Sequence, residues 1–303
     1  MPCAARQIQA VRCAMQSEMM EVRDMETAVP TVHRSDILHA YSECGVREGD
    51  IVLTHSSLKS FGYVEGGALA VIGAAFDAVG PEGTVVFPTL VSQDFRNAYI
   101  NWNVNTSPSD VGAITETFRL MPGSLRSNQA THSVAAQGRL ADELTCEHTA
   151  YGPRMGIFGD YCFSYSSPWE KMYLHGAKVV FIGVTTLYNT FKHFVEYRFI
   201  EWALHSIVDD ETRCAAMSEV AVFHNPGRVW PEGAWPFHDS EFTETEMDRA
   251  GLIKYAKCGN SRFTCFKADQ YVDFTLSLFK SLPNGLFNER FIAWYQQYIR
   301  KQE

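Results

Sequence analysis

The sequence predicts an α/β fold, a single large domain whose mixed, partly parallel central sheet is flanked by helices. The 303 residues, of which 46% are hydrophobic and 20% charged, are enough to bury one large core. Apolar runs of strand length alternate with helical segments over much of the chain. The first two apolar runs are separated by a predicted helix. Such a strand-helix-strand unit joins strands that lie parallel in a sheet.

The first elements follow from local signals. Ser35-Asp-Ile-Leu predicts a helix N-terminus and Gly45 its end. Strands are predicted at 50–55 and 83–88, with a helix at 68–79 between them. We therefore expect residues 1–32 to be an N-terminal extension and residues 33–303 to form the domain, since no linker divides the rest.

The later elements are a helix from about 112 to 120, a strand at 134–137 and another at 178–184. Ser167, Pro168 and Glu170 predict a capping box at the start of a short helix. Turn formers and aromatic residues crowd 205–240, which we treat as a variable substrate region. Helices are predicted after it at about 243–256, 267–281 and 288–301.

Composition excludes several classes of function. The formal charge of −9 and the pI near 5.6 argue against nucleic acid and anionic membranes as partners, and favour a cationic ligand. No secretory signal and no apolar run of 18 residues occurs, so a cytoplasmic protein is expected. Walker A, G-x-G-x-x-G and G-x-S-x-G patterns are also missing from the sequence. Eight scattered cysteines indicate reduced thiols and no zinc site.

One pair of residues suggests chemistry. His193 and Glu196 lie three residues apart at the start of a helix that follows the 178–184 strand, so Glu196 can orient the imidazole. A pair that only satisfies itself is the commoner outcome on spacing alone. A metal would need distant ligands such as His148 or His132. No spacing marks a nucleophilic cysteine.

Five segments, in order, resemble one protein family. They are His55–Gly62 with Val64–Gly67; Gly80–Thr89; Thr106–Gly112 through Arg126-Ser127 to Ala136; Ser167-Pro168; and Gly183 through Asn189-Thr190, His193 and Glu196 to Arg198. Together they resemble the aminoglycoside 3-N-acetyltransferases, also called the antibiotic N-acetyltransferase family. The resemblance runs from about residue 34 to 282.

The resemblance implies transfer of an acetyl group from acetyl-CoA to an amine, in a fold distinct from the GNAT acetyltransferases. The spacing around His193 lacks a second zinc-binding histidine, so we expect no metal. The resemblance also implies that one set of residues lines the acetyl-CoA site: His55, Ser56, Ser57, Val64, Gly66, Gly67, Arg126 and Ser127. His193 matches the family's catalytic base. Its carboxylate partner is Glu196 or an acid in the substrate region, for which Asp239, Glu232 and Glu241 are the alternatives.

The chain departs from its relatives in two places. Many relatives carry R-S-x-H-P where this chain has Arg126-Ser-Asn-Gln-Ala130, and the substrate region carries Trp230, Trp235 and Phe237 where relatives place acids. Both departures concern the acceptor. We expect the acceptor to be an aminoglycoside or related aminosugar, with antibiotic resistance as the outcome. We expect the protein to be a monomer or homodimer. The alternatives are an amine in polysaccharide or natural-product synthesis, and a non-catalytic CoA-binding module.

Overall fold

A computed structural model describes residues 31–91, 95–220, 233–282 and 285–300 of the chain. Nine strands are described within these ranges: β1 (Thr31–Val32), β2 (Ile51–Ser56), β3 (Tyr63–Val64), β4 (Thr84–Pro88), β5 (Leu125–Arg126), β6 (Val134–Gly138), β7 (Lys178–Ile182), β8 (Lys254–Cys258) and β9 (Ser261–Lys267). The α-helices in the same ranges are α1 (Arg34–Glu43), α2 (Gly67–Val79), α3 (Phe95–Asn101), α4 (Ala113–Arg119), α5 (Ala141–Thr145), α6 (Pro168–Leu174), α7 (Phe191–Ser206), α8 (Asp210–Val220), α9 (Ser240–Arg249), α10 (Ala268–Ser281) and α11 (Glu289–Tyr298). Short 3-10 helices lie at Leu58–Phe61 and Thr186–Tyr188.

The central sheet is mixed, as the sequence predicts. Its seven strands run in the order β5-β6-β4-β2-β7-β9-β8. β2 pairs in parallel with both β4 and β7, while the outer pairs are antiparallel. The carboxyl ends of three parallel strands therefore meet at one edge, the usual place for a ligand site in such sheets.

Each face of the sheet is covered by its own hydrophobic core. Side chains alternate between the faces, so Val52 of β2 points to one core and Leu53 to the other. The smaller core contains residues of α1, α2 and α4. The larger core contains α7, whose Phe191, Phe194 and Phe199 are fully buried among aromatic rings. The residues of α7 that face the sheet edge are thus held on a well-packed helix.

Helix starts follow the predicted signals in part. Ser167 caps α6, because its hydroxyl accepts a hydrogen bond from the Glu170 backbone N–H at 3.3 Å. The Glu170 side chain instead accepts from Arg154 at 2.6 Å, so only half of the predicted capping box is present. α1 begins one residue before Ser35, with Asp36 accepting a hydrogen bond from the His33 N–H.

The region after residue 205 differs most from the prediction. α8 occupies 210–220, where turn formers were expected to prevail. The helix predicted at 243–256 ends at Arg249, and the hairpin of β8 and β9 follows. Gly259-Asn260 forms its two-residue turn, with Gly259 at a φ of +55°. This dipeptide is the sequence signal for the hairpin.

The predicted boundary of the domain at residue 33 falls just after β1. Thr31 and Val32 pair in parallel with Tyr63 and Val64 of β3. Val32 is buried in the smaller core, so its side chain belongs to the domain.

Candidate active site

A cavity of about 600 Å³ opens at the carboxyl ends of the parallel strands. β2 contributes His55 and Ser56, β4 contributes Pro88, and Val184 lies just beyond β7. Loops and the first turn of α7 complete the wall: Leu90, Asp110, Val111, Gly112, Thr115, His132, Phe158, Leu187, Tyr188, Asn189, Thr190, Lys192 and His193. The cavity therefore joins the first and last of the family-like segments in one place.

His193 reaches the cavity from the first turn of α7. Its side chain is 17% exposed, and its Nδ1 lies 2.8 Å from Glu196 Oε2. An ionised carboxylate can only accept hydrogen bonds, so Nδ1 carries the proton and Nε2 keeps a lone pair. Nε2 is thus the ring nitrogen left to take a proton from a ligand. The local pairing of His193 with Glu196 agrees with the prediction from spacing.

Glu196 is buried and is held from two further directions. The indole Nε1 of Trp235 donates to Oε2 at 3.0 Å, and Nδ1 of His238 lies 3.2 Å from Oε1. The Glu196 side chain is only 1% exposed. Both of its oxygens are therefore occupied by donors rather than by water.

Burial and charge act on this pair in opposite directions. Burial alone would raise the pKa of the Glu196 carboxyl, yet the neighbouring His193 and His238 hold that pKa at about 2. Burial lowers the pKa of His193 below its usual value of 6.5, and Glu196 opposes that shift. At neutral pH the site therefore holds an ionised carboxylate beside a neutral imidazole.

A second histidine faces the first across the cavity. The rings of His132 and His193 lie 6.2 Å apart at nearly right angles, and Phe158 packs against both at 4.9 and 4.7 Å. Burial, followed by the charge of His193, lowers the pKa of His132 well below its usual value. Thr131 Oγ1 lies 2.8 Å from its Nδ1. His132 is thus a neutral neighbour of the predicted base.

His55 and Ser56 line the cavity with polar atoms that have no hydrogen-bond partner among the described residues. The His55 ring stacks on Phe181 at 4.9 Å, and burial lowers its pKa to about 3. Buried polar atoms are nearly always paired in folded proteins, so these two mark a place where a bound molecule completes the site. Ser57 follows at the strand end, where its N–H donates to the Ile182 carbonyl.

Three other predicted cofactor residues lie away from this cavity lining. Val64 is buried in the smaller core, and Gly66 and Gly67 open α2 with φ angles of +80° and +57°. The two glycines thus form the turn before the helix. Gly66 is exposed and Gly67 is half-buried.

Arg126 and Ser127, the other two predicted cofactor residues, also lie outside this cavity lining. Ser127 is fully buried, and its hydroxyl accepts from the Val134 N–H and bonds the ring of His148 at 2.9 Å. Arg126 donates to the carbonyls of Ser107 and Thr89, holding a loop in place. It borders a separate cavity of about 380 Å³.

Two of the three alternative acids, Asp239 and Glu241, lie in the described residues, and neither forms a hydrogen bond or ion pair with His193. The Asp239 side chain caps α9 by accepting from the N–H groups of Glu241 and Phe242. Glu241 borders a neighbouring cavity of about 580 Å³. Glu232 lies outside the described residues. Glu196 is the carboxylate that contacts His193.

The neighbouring cavity shares Val184 with the first one and is acidic. Its wall includes Glu241, Glu244 and Asp248 of α9 beside Arg262 of β9. Three carboxylates beside one arginine give this wall a net negative charge next to the histidine cavity. No group of three or more His, Cys, Asp or Glu side chains suited to a metal ion occurs in the described ranges. The same ranges contain no helix with the length and apolarity to cross a membrane.

A known protein family matches the residues that form this cavity. The family described as aminoglycoside 3-N-acetyltransferase matches residues 53–280. The chain belongs to this aminoglycoside 3-N-acetyltransferase family. It is therefore an acyltransferase, and the matched residues span the whole cavity wall.

Relatives within the family cover most of the chain. The SPbeta prophage-derived aminoglycoside N(3')-acetyltransferase-like protein YokD of Bacillus subtilis (strain 168) is 27% identical over 257 residues, 76% of this chain and 86% of that protein. Aminoglycoside N(3)-acetyltransferase IX of Micromonospora chalcea is 26% identical over 281 residues, 81% and 92%. The fold is similar to that of AAC-IIIb, solved as a binary complex with CoASH, with a TM-score of 0.63, 18% identity, and coverage of 84% of this chain and 100% of that one.

Sequence reasoning missed Trp235 and His238 as partners of Glu196. In the sequence Trp235 is one of several aromatic residues of 205–240, and no motif marks His238. A histidine and a tryptophan within four residues, ahead of the α9 cap, are the only local signal. Their contact with Glu196 spans about 40 residues of chain and leaves no periodic pattern.

Proposed function

We propose that the protein transfers the acetyl group of acetyl-CoA to an amino group of an aminoglycoside or related aminosugar, with His193 as general base. The observation that carries the proposal is the neutral His193, held by buried Glu196 at the wall of a cavity formed by family-specific segments. The CoASH complex of AAC-IIIb and the name of the Micromonospora relative support the choice of substrates.

In the proposed reaction the amine attacks as a neutral nitrogen. As the new C–N bond forms at the thioester carbonyl, the nitrogen loses a proton to His193 Nε2. The C–S bond then breaks, and His193 returns the proton to the sulfur of CoA. Atoms and charge balance without any other reactant.

Glu196 supports this cycle by stabilising the imidazolium that exists between the two proton transfers. A carboxylate that bonds Nδ1–H fixes the tautomer and compensates the positive charge on the ring. Because Glu196 stays ionised, with a pKa of about 2, it performs this role throughout the neutral range.

The cationic acceptor finds negative charge beside the cavity. Glu241, Glu244 and Asp248 lie in the adjoining cavity, which Val184 joins to the wall around His193. Several carboxylates at one edge favour a polycationic ligand over a neutral sugar. We infer that the acceptor spans both cavities, while His55 and Ser56 face the acetyl-CoA side.

The test measures CoA release with a panel of aminoglycosides and non-antibiotic aminosugars, with acetylated product identified by mass spectrometry. His193→Ala should lower kcat by about 10²- to 10⁴-fold, the usual contribution of a general base. His205→Ala, an exposed histidine at the other end of α7, is the matched control and should keep full turnover.

Two results would overturn the proposal. Turnover that survives His193→Ala unchanged would remove the general base. Thermal stabilisation by CoA without acetylated product from any amine in the panel would instead favour a non-catalytic CoA-binding module.

A further inference from the structure

A short segment at 233–238 closes over the buried side of the His193–Glu196 pair. Trp235 donates to the same Glu196 oxygen that bonds His193, and His238 donates to the other oxygen. Trp235 is fully buried, as is the His238 side chain. We propose that Trp235 and His238 are positioning residues that fix the Glu196 carboxylate and thereby set the basicity of His193.

The geometry of the hydrogen bonds supports this role. A carboxylate bonded only to His193 would rotate about its terminal torsion, which is broad and soft. Donors on both oxygens remove that freedom and fix the plane of the group. Because Trp235 shares Oε2 with His193, it also withdraws negative charge from the very oxygen that accepts Nδ1–H.

The protonation of His238 follows from its partner. Glu196 only accepts hydrogen bonds, so Nδ1 of His238 carries the proton, and its Nε2 has no partner among the described residues. The ring packs on Phe279 at 4.7 Å. A buried ring in this position acts as a fixed donor to Glu196, in the way that a second ligand shell orients a metal-bound histidine.

The backbone of the segment is anchored at both ends. The Ala234 N–H donates to the Glu219 carbonyl of α8, and His238 forms a β-bridge with Phe287. The Asp239 N–H donates to the Leu286 carbonyl. Donors held by fixed backbone position a carboxylate more accurately than side chains on a free loop do.

Other groups that face the pair are accounted for in the same way. Lys192, His132 and His238 disfavour a positive charge on His193, whereas Glu196 favours it. Tyr271 faces Glu196 from α10. Of these groups only Glu196 changes its effective charge when Trp235 loses its N–H, so the pH profile reports on this contact.

This inference rests on the proposed function and is tested through kcat and its pH profile. Trp235→Phe removes the N–H but keeps an aromatic ring, and we expect kcat to fall about three- to tenfold. The acidic limb of the kcat/KM profile should move to higher pH, since a less neutralised Glu196 favours the His193 imidazolium. Trp294→Phe is the matched control, because this indole donates to the Ala216 carbonyl in the same core.

His238 offers a rescue test. His238→Phe loses the donor and should lower kcat, whereas His238→Asn keeps an N–H near the position of Nδ1 and should restore most of the rate.

A double variant tests whether Trp235 acts through Glu196. When Glu196→Ala is already present, Trp235→Phe should cause no further loss of kcat, because both substitutions act through the same carboxylate. Urea unfolding and CoA-induced thermal shifts check that each variant is folded.

The outcomes separate this inference from the proposed function. If His193→Ala and Glu196→Ala lower kcat but Trp235→Phe behaves like Trp294→Phe, the positioning role is wrong and the general base stands. Additive losses in the Glu196→Ala background also contradict positioning. If His193→Ala has no effect, the proposed function itself fails.

Discussion

Two buried carboxylates, Glu170 of α6 and Glu196 of α7, are held by different kinds of partner. Glu170 of α6 bonds Arg154 at 2.6 Å, and Arg198 approaches its other oxygen at 3.6 Å. Glu196 is held by His193, Trp235 and His238. An arginine stays protonated at any pH the protein meets, whereas a histidine exchanges its proton near neutrality.

The difference explains why one carboxylate is structural and the other is proposed to be catalytic. Arg154 also bonds Glu201 at 3.0 Å and stacks on Tyr165, so Glu170 belongs to a group of permanently charged partners. Glu196 instead bonds His193, whose Nε2 keeps a lone pair at the cavity wall. A carboxylate that stabilises a transient positive charge needs a partner that can gain and lose a proton. Burial strengthens the electrostatic attraction between the carboxylate and that charge.

Replacing each glutamate by glutamine should affect the two sites differently, and the largest difference should be in kcat. Glu196→Gln removes the negative charge that stabilises the His193 imidazolium, so kcat should fall about a hundredfold. Steady-state CoA release checks this. A kcat within a factor of about two of the wild type would show that the Glu196 charge is not used.

The same exchange at Glu170 should change stability instead. Glu170→Gln leaves Arg154 buried with one carboxylate fewer, and the free energy of unfolding should fall by about 3 kcal/mol. Urea denaturation measures that loss, and kcat per folded enzyme should remain near the wild-type value. A fall in kcat as large as that of Glu196→Gln would erase the distinction between the two carboxylates.

The part of the site that the sequence predicts is the part that local geometry determines. His193 and Glu196 are neighbours because residues three apart on a helix face each other, and the strand before them places the helix start at the sheet edge. The resemblance adds His55 and Ser56, which the parallel pairing of β2 with β7 brings to the same cavity.

The remainder depends on contacts between distant segments. The donors to Glu196 come from beyond α8, and the aromatic residues of 205–240 were assigned to the acceptor rather than to the core. Trp235 in fact packs against Tyr197, with ring centroids 5.1 Å apart. A tryptophan that belongs to a core and one that lines a substrate site look alike in sequence.

The errors in the fold have a similar cause. β8 is an edge strand with mostly exposed side chains, so it lacks the clear alternation of a half-buried strand, and the helix predicted at 243–256 runs into its first residues. The resemblance implies that Ser127 lines the acetyl-CoA site, whereas the β5–β6 pairing turns its hydroxyl inwards.

As the proposed base, His193 must be neutral in order to accept a proton. Burial lowers its pKa and Glu196 raises it, with a net value below 6.5. The active form is deprotonated, so kcat/KM should stay high at neutral pH and fall only as the pH drops through that lowered pKa.

The most direct measurement is therefore the pH profile of kcat/KM for CoA release, compared between the wild type and His193→Ala with one accepted amine. The wild type should show an acidic limb with its midpoint below 6.5, and His193→Ala should lose that limb along with most of its rate. An acidic limb that persists unchanged in His193→Ala would assign the titration, and the base, to another group.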